Sequence, residues 1–269
     1  MSVTVRVCPY CGSKESFEYP SNKGMMFLCY DCQRNAPVSS LPNKQAAVTV
    51  SSVTFNTLLS LCTPLSKLKE DHPCVQYVLG RKIPKNHFNL LYYTEKFQEI
   101  AKTVNKKSDS SPRLVIPFFN KSGKMFALQG RALSQSDRRY VTLVFDDKED
   151  LVFGQERVNM NESFTIVEGP IDSLFLKNCV SMAGIARVDD KYLPTATICL
   201  DNEPRNKNTV NMISKYLDRG FKVVIWSDKN PHKDINEMVL GGIDVQAEIE
   251  KSVFKGIEGK MKLNFWKRV

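Results

Sequence analysis

The chain has 269 residues, 42% of them hydrophobic, which supports a buried core and excludes a wholly disordered chain. Its 38 lysines and arginines exceed its 29 acids, and the resulting charge of +9 favours phosphate-rich partners. No stretch approaches the ~20 apolar residues that cross a bilayer, and the first residues lack the apolar core of a signal peptide. We therefore expect a cytoplasmic protein without membrane contacts.

Four of the eight cysteines form two CxxC pairs near the start of the chain, Cys8 with Cys11 and Cys29 with Cys32. This spacing lets two knuckles meet, so that four thiolates close a tetrahedral site. Four protein ligands leave no position for substrate, so the pattern predicts one structural Zn²⁺. The aromatic and basic residues between the pairs either stack on bases of a single strand or cover the metal, and both alternatives stay open.

Composition and periodicity divide the chain into five parts. A Pro/Ser-containing linker follows the cysteines, and strand-like segments then give way to short apolar runs alternating with helical stretches. The predicted parts are a zinc ribbon (1–36), a linker (37–55), a basic, mostly β subdomain (56–160), a parallel α/β subdomain (161–242) and a basic helical tail (243–269).

Acidic residues follow three of the apolar runs in the α/β part. Glu168 comes directly after residues 164–167, and Asp201 and Glu203 follow residues 198–200. A third loop, after residues 223–226, carries Asp228, Lys229, Lys233 and Asp234. The carboxyl ends of parallel strands meet at one edge of a sheet, so we expect these loops to lie together.

Carboxylates gathered at one edge repel one another, and a divalent ion relieves that repulsion while binding phosphate oxygens. An acidic edge in a basic chain therefore indicates phosphoryl-transfer chemistry. For any one of these acids, a helix cap or a solvated position is the simpler alternative. Three acidic loops together weaken that alternative.

The segments Glu168-Gly-Pro-Ile-Asp172, Asp201-Asn-Glu203 and Lys233-Asp234 resemble the Toprim signature of bacterial-type primases, topoisomerases and related nucleases. The resemblance implies that Glu168 is the acid–base residue and a magnesium ligand, and that Asp201 and Glu203 hold the metal. It also implies that Asp172 and Asp234 assist at a second ion. The usual second motif ends in aspartate, where this chain has Glu203.

The segments that precede Glu168 indicate which of these Toprim proteins the chain resembles. Arg113-Leu-Val-Ile-Pro, Gln129-Gly-Arg131 and Arg139-Tyr140 resemble the N-terminal half of a primase RNA-polymerase core. With Glu70-Asp-His-Pro and Leu200-Asp-Asn-Glu-Pro-Arg, the chain is similar to the primases of T-even-type bacteriophages along nearly its whole length. The implied fold is mixed α/β, with a zinc ribbon, a mostly β basic subdomain and a parallel-sheet Toprim subdomain.

That resemblance implies synthesis of short RNA primers from ribonucleoside triphosphates on single-stranded DNA during lagging-strand replication. It implies Mg²⁺ or Mn²⁺ as catalytic ions, and a hexameric replicative helicase and a single-stranded-DNA-binding protein as partners. Phosphate contacts are expected from four basic residues: Arg113, Arg131, Arg139 and Lys233. No GxxxxGK[ST] sequence is present, so a built-in helicase motor is not expected.

Other classes of protein fit the sequence less well. A non-catalytic recombination mediator with zinc and Toprim domains needs no complete acidic set, whereas this chain has Glu168, Asp201 and Glu203 together. A topoisomerase needs a tyrosine nucleophile in a further domain. A nuclease function would not explain the presence of the zinc ribbon or of residues 113–153.

Near the C-terminus, apolar residues recur every four positions: Val245, Ile249, Val253, Ile257 and Met261. This pattern predicts one helix with an apolar stripe, surrounded by lysines. Such a helix either caps the core or presents a basic face to nucleic acid or a partner protein.

Overall fold

The computed structural model describes residues 4–5, 16–21, 24–29, 35–40, 58–136, 138–182 and 188–269. The chain divides into two compact units, Met1–Ser51 and Ser52–Val269. The division falls within the predicted linker, although the five predicted domain bounds remain predictions. In the described ranges, no helix is long and apolar enough to cross a membrane.

The smaller unit contains an antiparallel sheet with its strands in sequence order. A tight hairpin joins the second and third strands, where Gly24 adopts a φ of +93° and pairs with Ser21. Cys8, Cys11 and Cys32, as well as the side chain of Cys29, lie outside the described residues, so the zinc site remains a prediction. The strands are β1 (Thr4–Val5), β2 (Ser16–Ser21), β3 (Gly24–Cys29) and β4 (Asn35–Pro37).

The first sheet of the larger unit is also antiparallel, with its five strands in sequence order. Gly123, at a φ of +79°, closes the predicted turn between the third and fourth strands of this sheet. These two strands are buried almost throughout, because helices cover both faces. The strands are β5 (Thr63–Pro64), β6 (Tyr92–Thr94), β7 (Arg113–Phe119), β8 (Met125–Ala132) and β9 (Tyr140–Val144).

Of the helices that the structure describes from end to end, two pack on this sheet. Helix α1 (Pro73–Gly80) starts with proline, and the His72 Nδ1 accepts a hydrogen bond from the Cys74 N–H at 3.2 Å. Helix α2 (Phe97–Lys102) packs closely, because a Cβ on Gly130 of β8 would lie 2.2 Å from the Phe97 ring. Glycine is therefore required where the helix meets the sheet.

The second sheet has the order β10-β12-β11-β13-β14-β15, and its four central strands are parallel. This confirms the predicted parallel α/β subdomain. The antiparallel edge strands lie outside the predicted bounds of 161–242. The strands are β10 (Val152–Phe153), β11 (Phe164–Val167), β12 (Cys179–Met182), β13 (Ala196–Cys199), β14 (Lys222–Val224) and β15 (Val253–Phe254).

Five helices accompany this sheet: α3 (Pro170–Ser173), α4 (Lys207–Asp218), α5 (Ile235–Leu240), α6 (Val245–Lys251) and α7 (Gly256–Trp266). The expectation of one long C-terminal helix was wrong. Strand β15 separates α6 from α7, and Gly256 has a φ of +55° that a continuous helix does not allow. Val245 and Ile249 are buried, whereas Ile257 and Met261 are exposed.

A hydrophobic core joins the two sheets of the larger unit. Phe118 and Phe126 of the first sheet pack in the same cluster as Phe153 of β10 and Ile171 and Leu174 at helix α3. All five side chains are at most 5% exposed. The two sheets are therefore packed against each other rather than joined by a loose linker.

Candidate active site

The acidic residues of the first two loops meet at one edge of the second sheet. Strands β11 and β13 run parallel side by side, so their carboxyl ends lie together. The Glu168 Oε1 accepts a hydrogen bond from the Asp201 N–H at 3.1 Å. This bond joins the two loops that the sequence predicted to be adjacent.

Asp172 and Asp234 complete the acidic edge. The Asp172 Oδ1 accepts a hydrogen bond from the Asn236 N–H at 3.1 Å, and Asp234 caps α5 by accepting from the Glu237 N–H at 2.8 Å. A Cβ on Gly169 would lie 2.5 Å from the Asp172 Oδ2. Any side chain at position 169 would therefore displace the Asp172 carboxylate.

Electrostatics at this edge disfavour negative charge. Burial, with the neighbouring charge of Glu168 next in importance, raises the pKa of Asp201 to about 8. Burial, followed by the charge of Asp234, raises the pKa of Asp172 to about 7. A positive charge bound beside these carboxyl groups would favour their ionised forms and lower both pKa values.

A cleft of about 430 Å³ lies between this edge and the first sheet. Its acidic wall contains Glu168, Asp172, Asp201 and Asp234, and its opposite wall contains Arg81, Gln129, Arg131, Arg139 and Tyr140. Among the described residues, no ion pair within 4 Å joins the two walls. Acidic and basic side chains therefore face each other across a space that a substrate can enter.

Aromatic rings hold the arginines of the cleft. The Tyr77 ring lies between two guanidinium groups, with its centroid 5.1 Å from the Arg81 Cζ and 4.9 Å from the Arg131 Cζ. Arg131 also lies over the Tyr140 ring and donates a hydrogen bond to its hydroxyl. Cation–π contacts orient these arginines without neutralising them with a carboxylate.

Glu203 is directed into a different hollow. Its Oε1 lies 2.9 Å from the Lys233 Nζ, and its Oε2 accepts a hydrogen bond from the Asn206 Nδ2 at 2.9 Å. Lys233 is the main reason that the pKa of Glu203 is below its usual value. The structure thus pairs the predicted ligand Glu203 with the predicted phosphate-binding Lys233, away from the other acids.

Arg113 is fully buried behind the cleft. Its guanidinium donates hydrogen bonds to the Gly130 and Arg138 carbonyl oxygens at 3.1 and 3.0 Å, and lies 2.9 Å from the Asp109 carboxylate. These contacts favour a structural role for Arg113 over the predicted phosphate contact. Arg131 and Arg139, by contrast, line the cleft.

Sequence reasoning missed Arg81 and Tyr77. Both residues belong to the segment around α1. The sequence pattern of this segment predicts a small helix but no part in a site. The Arg81 guanidinium Nη1 lies 2.5 Å from the Asn236 Oδ1, and the Asn236 Nδ2 donates back to the Arg81 carbonyl oxygen. No spacing or motif in the sequence links residue 81 to residue 236.

The donor chemistry of the acidic edge suits a hard divalent cation, which prefers oxygen ligands. In the described parts of the chain, no three histidine, cysteine, aspartate or glutamate side chains are already grouped to hold a metal ion. Among the same residues, no hydrogen bond reaches the carboxylate oxygens of Asp201. This carboxylate is therefore available to a cation, although small side-chain movements are needed to complete a site.

Comparison with known structures defines the class of fold. The chain superposes on the zinc-binding and RNA polymerase domains of Aquifex aeolicus primase with a TM-score of 0.54 and 15% identity, covering 89% of this chain and 80% of that one. A DnaG primase catalytic domain, solved bound to single-stranded DNA, superposes with a TM-score of 0.54 and 12% identity. The match covers 73% of this chain and 77% of that one. At these identities the likeness establishes the fold, which is that of a bacterial-type primase.

Sequence comparison identifies the particular kind of protein. The chain is 29% identical to the DNA primase of Enterobacteria phage T4, over 97% of this chain and 90% of that protein. No protein-family model matches the chain. With the fold and the acidic edge, this similarity identifies the chain as a DNA primase, similar to the phage T4 protein along nearly its whole length.

Proposed function

We propose that the cleft between the two sheets is the site where this primase joins ribonucleoside triphosphates into short RNA primers on a single-stranded DNA template. The observation that supports this most directly is the cleft itself, whose acidic and basic walls are not joined by ion pairs. Nucleotide polymerisation needs both kinds of wall. Carboxylates bind cations, and guanidinium groups bind phosphates.

Each wall has a distinct role in this proposal. Divalent ions, Mg²⁺ or Mn²⁺, would activate the primer 3′ hydroxyl and neutralise the triphosphate. Asp201, Asp172 and Asp234 hold these ions, while Glu168 is a ligand and the acid–base residue. Arg131 and Arg139 bind phosphate groups of the nucleotide or template, and Arg81 adds a third guanidinium to the same wall.

Glu203 and Lys233 act after a rearrangement in this scheme. Their contact is partly exposed to water, so it is weak enough to exchange for other partners. Lys233 then turns to a substrate phosphate, and Glu203 becomes free to bind a metal ion. Both predicted roles are compatible with the structure only if this ion pair opens.

The remaining partners follow from the similarity to known primases. We propose that Cys8, Cys11, Cys29 and Cys32 bind one structural Zn²⁺, in line with the zinc-binding domain of the Aquifex aeolicus neighbour. A hexameric replicative helicase supplies the motor, and a single-stranded-DNA-binding protein covers the template. The site of action would be the cytoplasm of an infected bacterium.

The test incubates the protein with single-stranded DNA, ribonucleoside triphosphates and Mg²⁺ or Mn²⁺, with and without a helicase. We expect template-dependent RNA, and a loss of about 10²–10⁴-fold in its rate for Glu168→Gln. Asp201→Asn is expected to be comparably impaired. Absence of RNA under every condition would contradict the proposal.

A matched control is Glu162→Gln, which changes the same residue type on an exposed loop of the same subdomain. This variant is expected to retain wild-type activity. Cleavage of the DNA without RNA synthesis would instead favour a nuclease, and DNA binding without chemistry would favour the recombination mediator.

A further inference from the structure

Asn202 stands between two of the proposed metal-binding residues, and its own polar atoms are directed into the protein. Its N–H donates to the Lys233 carbonyl oxygen at 2.7 Å, and its Nδ2 donates to the Asn230 and His232 carbonyl oxygens at 3.1 and 2.9 Å. Its Oδ1 accepts from the Trp266 Nε1 at 3.2 Å. Asn202 therefore connects the second loop to the third loop and to helix α7.

Both tryptophans of the chain donate to this short stretch. The Trp226 Nε1 donates to the Leu200 carbonyl oxygen at 2.8 Å, one residue before Asp201. The Trp266 Nε1 reaches the residue after Asp201. One indole thus contacts the backbone just before Asp201, and a second indole, from a different element, contacts the side chain of the residue just after it.

Helix α7 holds Trp266 firmly. Trp266 is 2% exposed, and Leu263 one turn earlier is 5% exposed, in the same core cluster as Leu217 of α4. A Cβ on Gly259 would lie 2.5 Å from the Leu217 Cδ2, so the two helices approach as closely as glycine allows. Beyond the helix, the Arg268 N–H donates to the Pro204 carbonyl oxygen at 2.8 Å.

We propose that Trp266 is a positioning residue for catalysis, which acts through Asn202 to hold the Asp201 carboxylate in the orientation that binds the divalent ion. The inference rests on the proposed metal-binding role of Asp201. Trp266 touches neither substrate nor metal. Its indole N–H adds a third hydrogen bond to an Asn202 side chain that already donates to two carbonyl oxygens, so the loop is more firmly arranged before the ion arrives.

The first experiment needs no metal and no activity. Amide hydrogen exchange is compared in metal-free wild type and Trp266→Phe, which keeps an aromatic ring but removes the indole N–H. We expect the peptide covering residues 200–206 to exchange about fivefold faster in the variant, the change expected when one hydrogen bond of about 1 kcal/mol is lost. Unchanged exchange there would overturn the proposal.

The second experiment measures Mn²⁺ affinity by electron paramagnetic resonance. Trp266→Phe is expected to weaken Mn²⁺ binding about fivefold, and to have no further effect in an Asn202→Ala background, because the indole acts through Asn202. Equal losses in both backgrounds would overturn the proposed route. Failure of the wild type to bind Mn²⁺ would instead contradict the proposed function, while the exchange experiment still tests the hydrogen bond between Trp266 and Asn202.

Tyr216→Phe is the matched control. Tyr216 lies in the same core cluster as Trp266, and its hydroxyl accepts a hydrogen bond from the Val188 N–H at 3.4 Å. This change removes one buried polar group far from Asn202, so it is expected to lower the melting temperature similarly without changing Mn²⁺ affinity. If both variants weaken Mn²⁺ binding equally, the effect of Trp266 is general destabilisation.

A wild-type measurement covers the case in which Trp266→Phe does not fold. The two indole N–H groups give separate NMR signals, and Mg²⁺ is expected to shift the one from Trp266. A Trp266 signal that does not respond to saturating Mg²⁺, in protein that binds the ion, would contradict the coupling.

Discussion

The two walls of the cleft differ in what surrounds their ionisable side chains. On the acidic wall, burial and mutual repulsion raise the pKa values of Asp172 and Asp201, and neither carboxyl group forms an ion pair within 4 Å among the described residues. On the basic wall, aromatic rings contact Arg81 and Arg131, whose charge they orient without neutralising it. This difference fits the proposed roles, in which the acids bind metal ions and the arginines bind phosphates.

The basic side also contains a contrast between neighbouring strands. Arg113 of β7 is fully buried and bonded to two carbonyl oxygens, and Arg131 of β8 lines the cleft. The same residue type is therefore fully enclosed in the fold in one strand and lines the cleft in the next, a contrast that substitutions can test.

Arg113→Ala is expected to destabilise the larger unit by about 3 kcal/mol, because it leaves buried carbonyl oxygens and Asp109 without their partner. Arg139→Ala, at an exposed position, is expected to change stability by less than about 0.5 kcal/mol. Urea unfolding measures both. Equal effects of the two substitutions would remove the distinction between a structural and a cleft arginine.

Asp201→Asn is expected to raise the melting temperature of metal-free protein at pH 9 by about 2–4 °C, the shift that 1 kcal/mol gives in a domain of this size. The folded-state pKa of Asp201 is about 8, above its usual value of 3.8, so the wild type loses stability as pH rises from about 4 to 8, where only the unfolded state is ionised. At pH 4 and below, the difference should vanish.

The control for Asp201→Asn is saturating Mg²⁺, which should stabilise the wild type at pH 9 and leave the variant unchanged. Calorimetry across pH 4 to 9 gives both results. A pH-independent difference between the two proteins would contradict an unpaired carboxyl group at position 201.

Lys233→Ala is expected to change the free energy of unfolding by less than about 0.5 kcal/mol, because its ion pair with Glu203 is partly exposed. It should nevertheless weaken binding of ribonucleoside triphosphates in a filter assay. A large loss of stability would show that the Glu203–Lys233 pair is structural and does not open.

Much of the acidic wall could be predicted from sequence. Apolar runs followed directly by Glu168 and Asp201 indicated parallel strands, and parallel strands bring their carboxyl ends together. The orientation of Glu203 could not be predicted, because it depends on Lys233 and Asn206 reaching it in three dimensions.

The basic wall was harder to predict, because it depends on strand register. Arg113 pairs with Ala132 across the β7–β8 ladder, so it lies on the same face as Ala132 and on the opposite face from Arg131. The motifs around the two arginines contain no register information. Arg81 was missed for a similar reason, since only tertiary packing brings α1 to the cleft.

The core shared by the two sheets has a consequence for the width of the cleft. Opening the cleft like a hinge would separate Phe118 and Phe126 from Ile171 and Leu174, all buried together. Exposing apolar surface costs about 25 cal/mol per Å², so hinge motion is unfavourable at each nucleotide addition. We therefore expect the cleft to keep a nearly constant width during the proposed cycle.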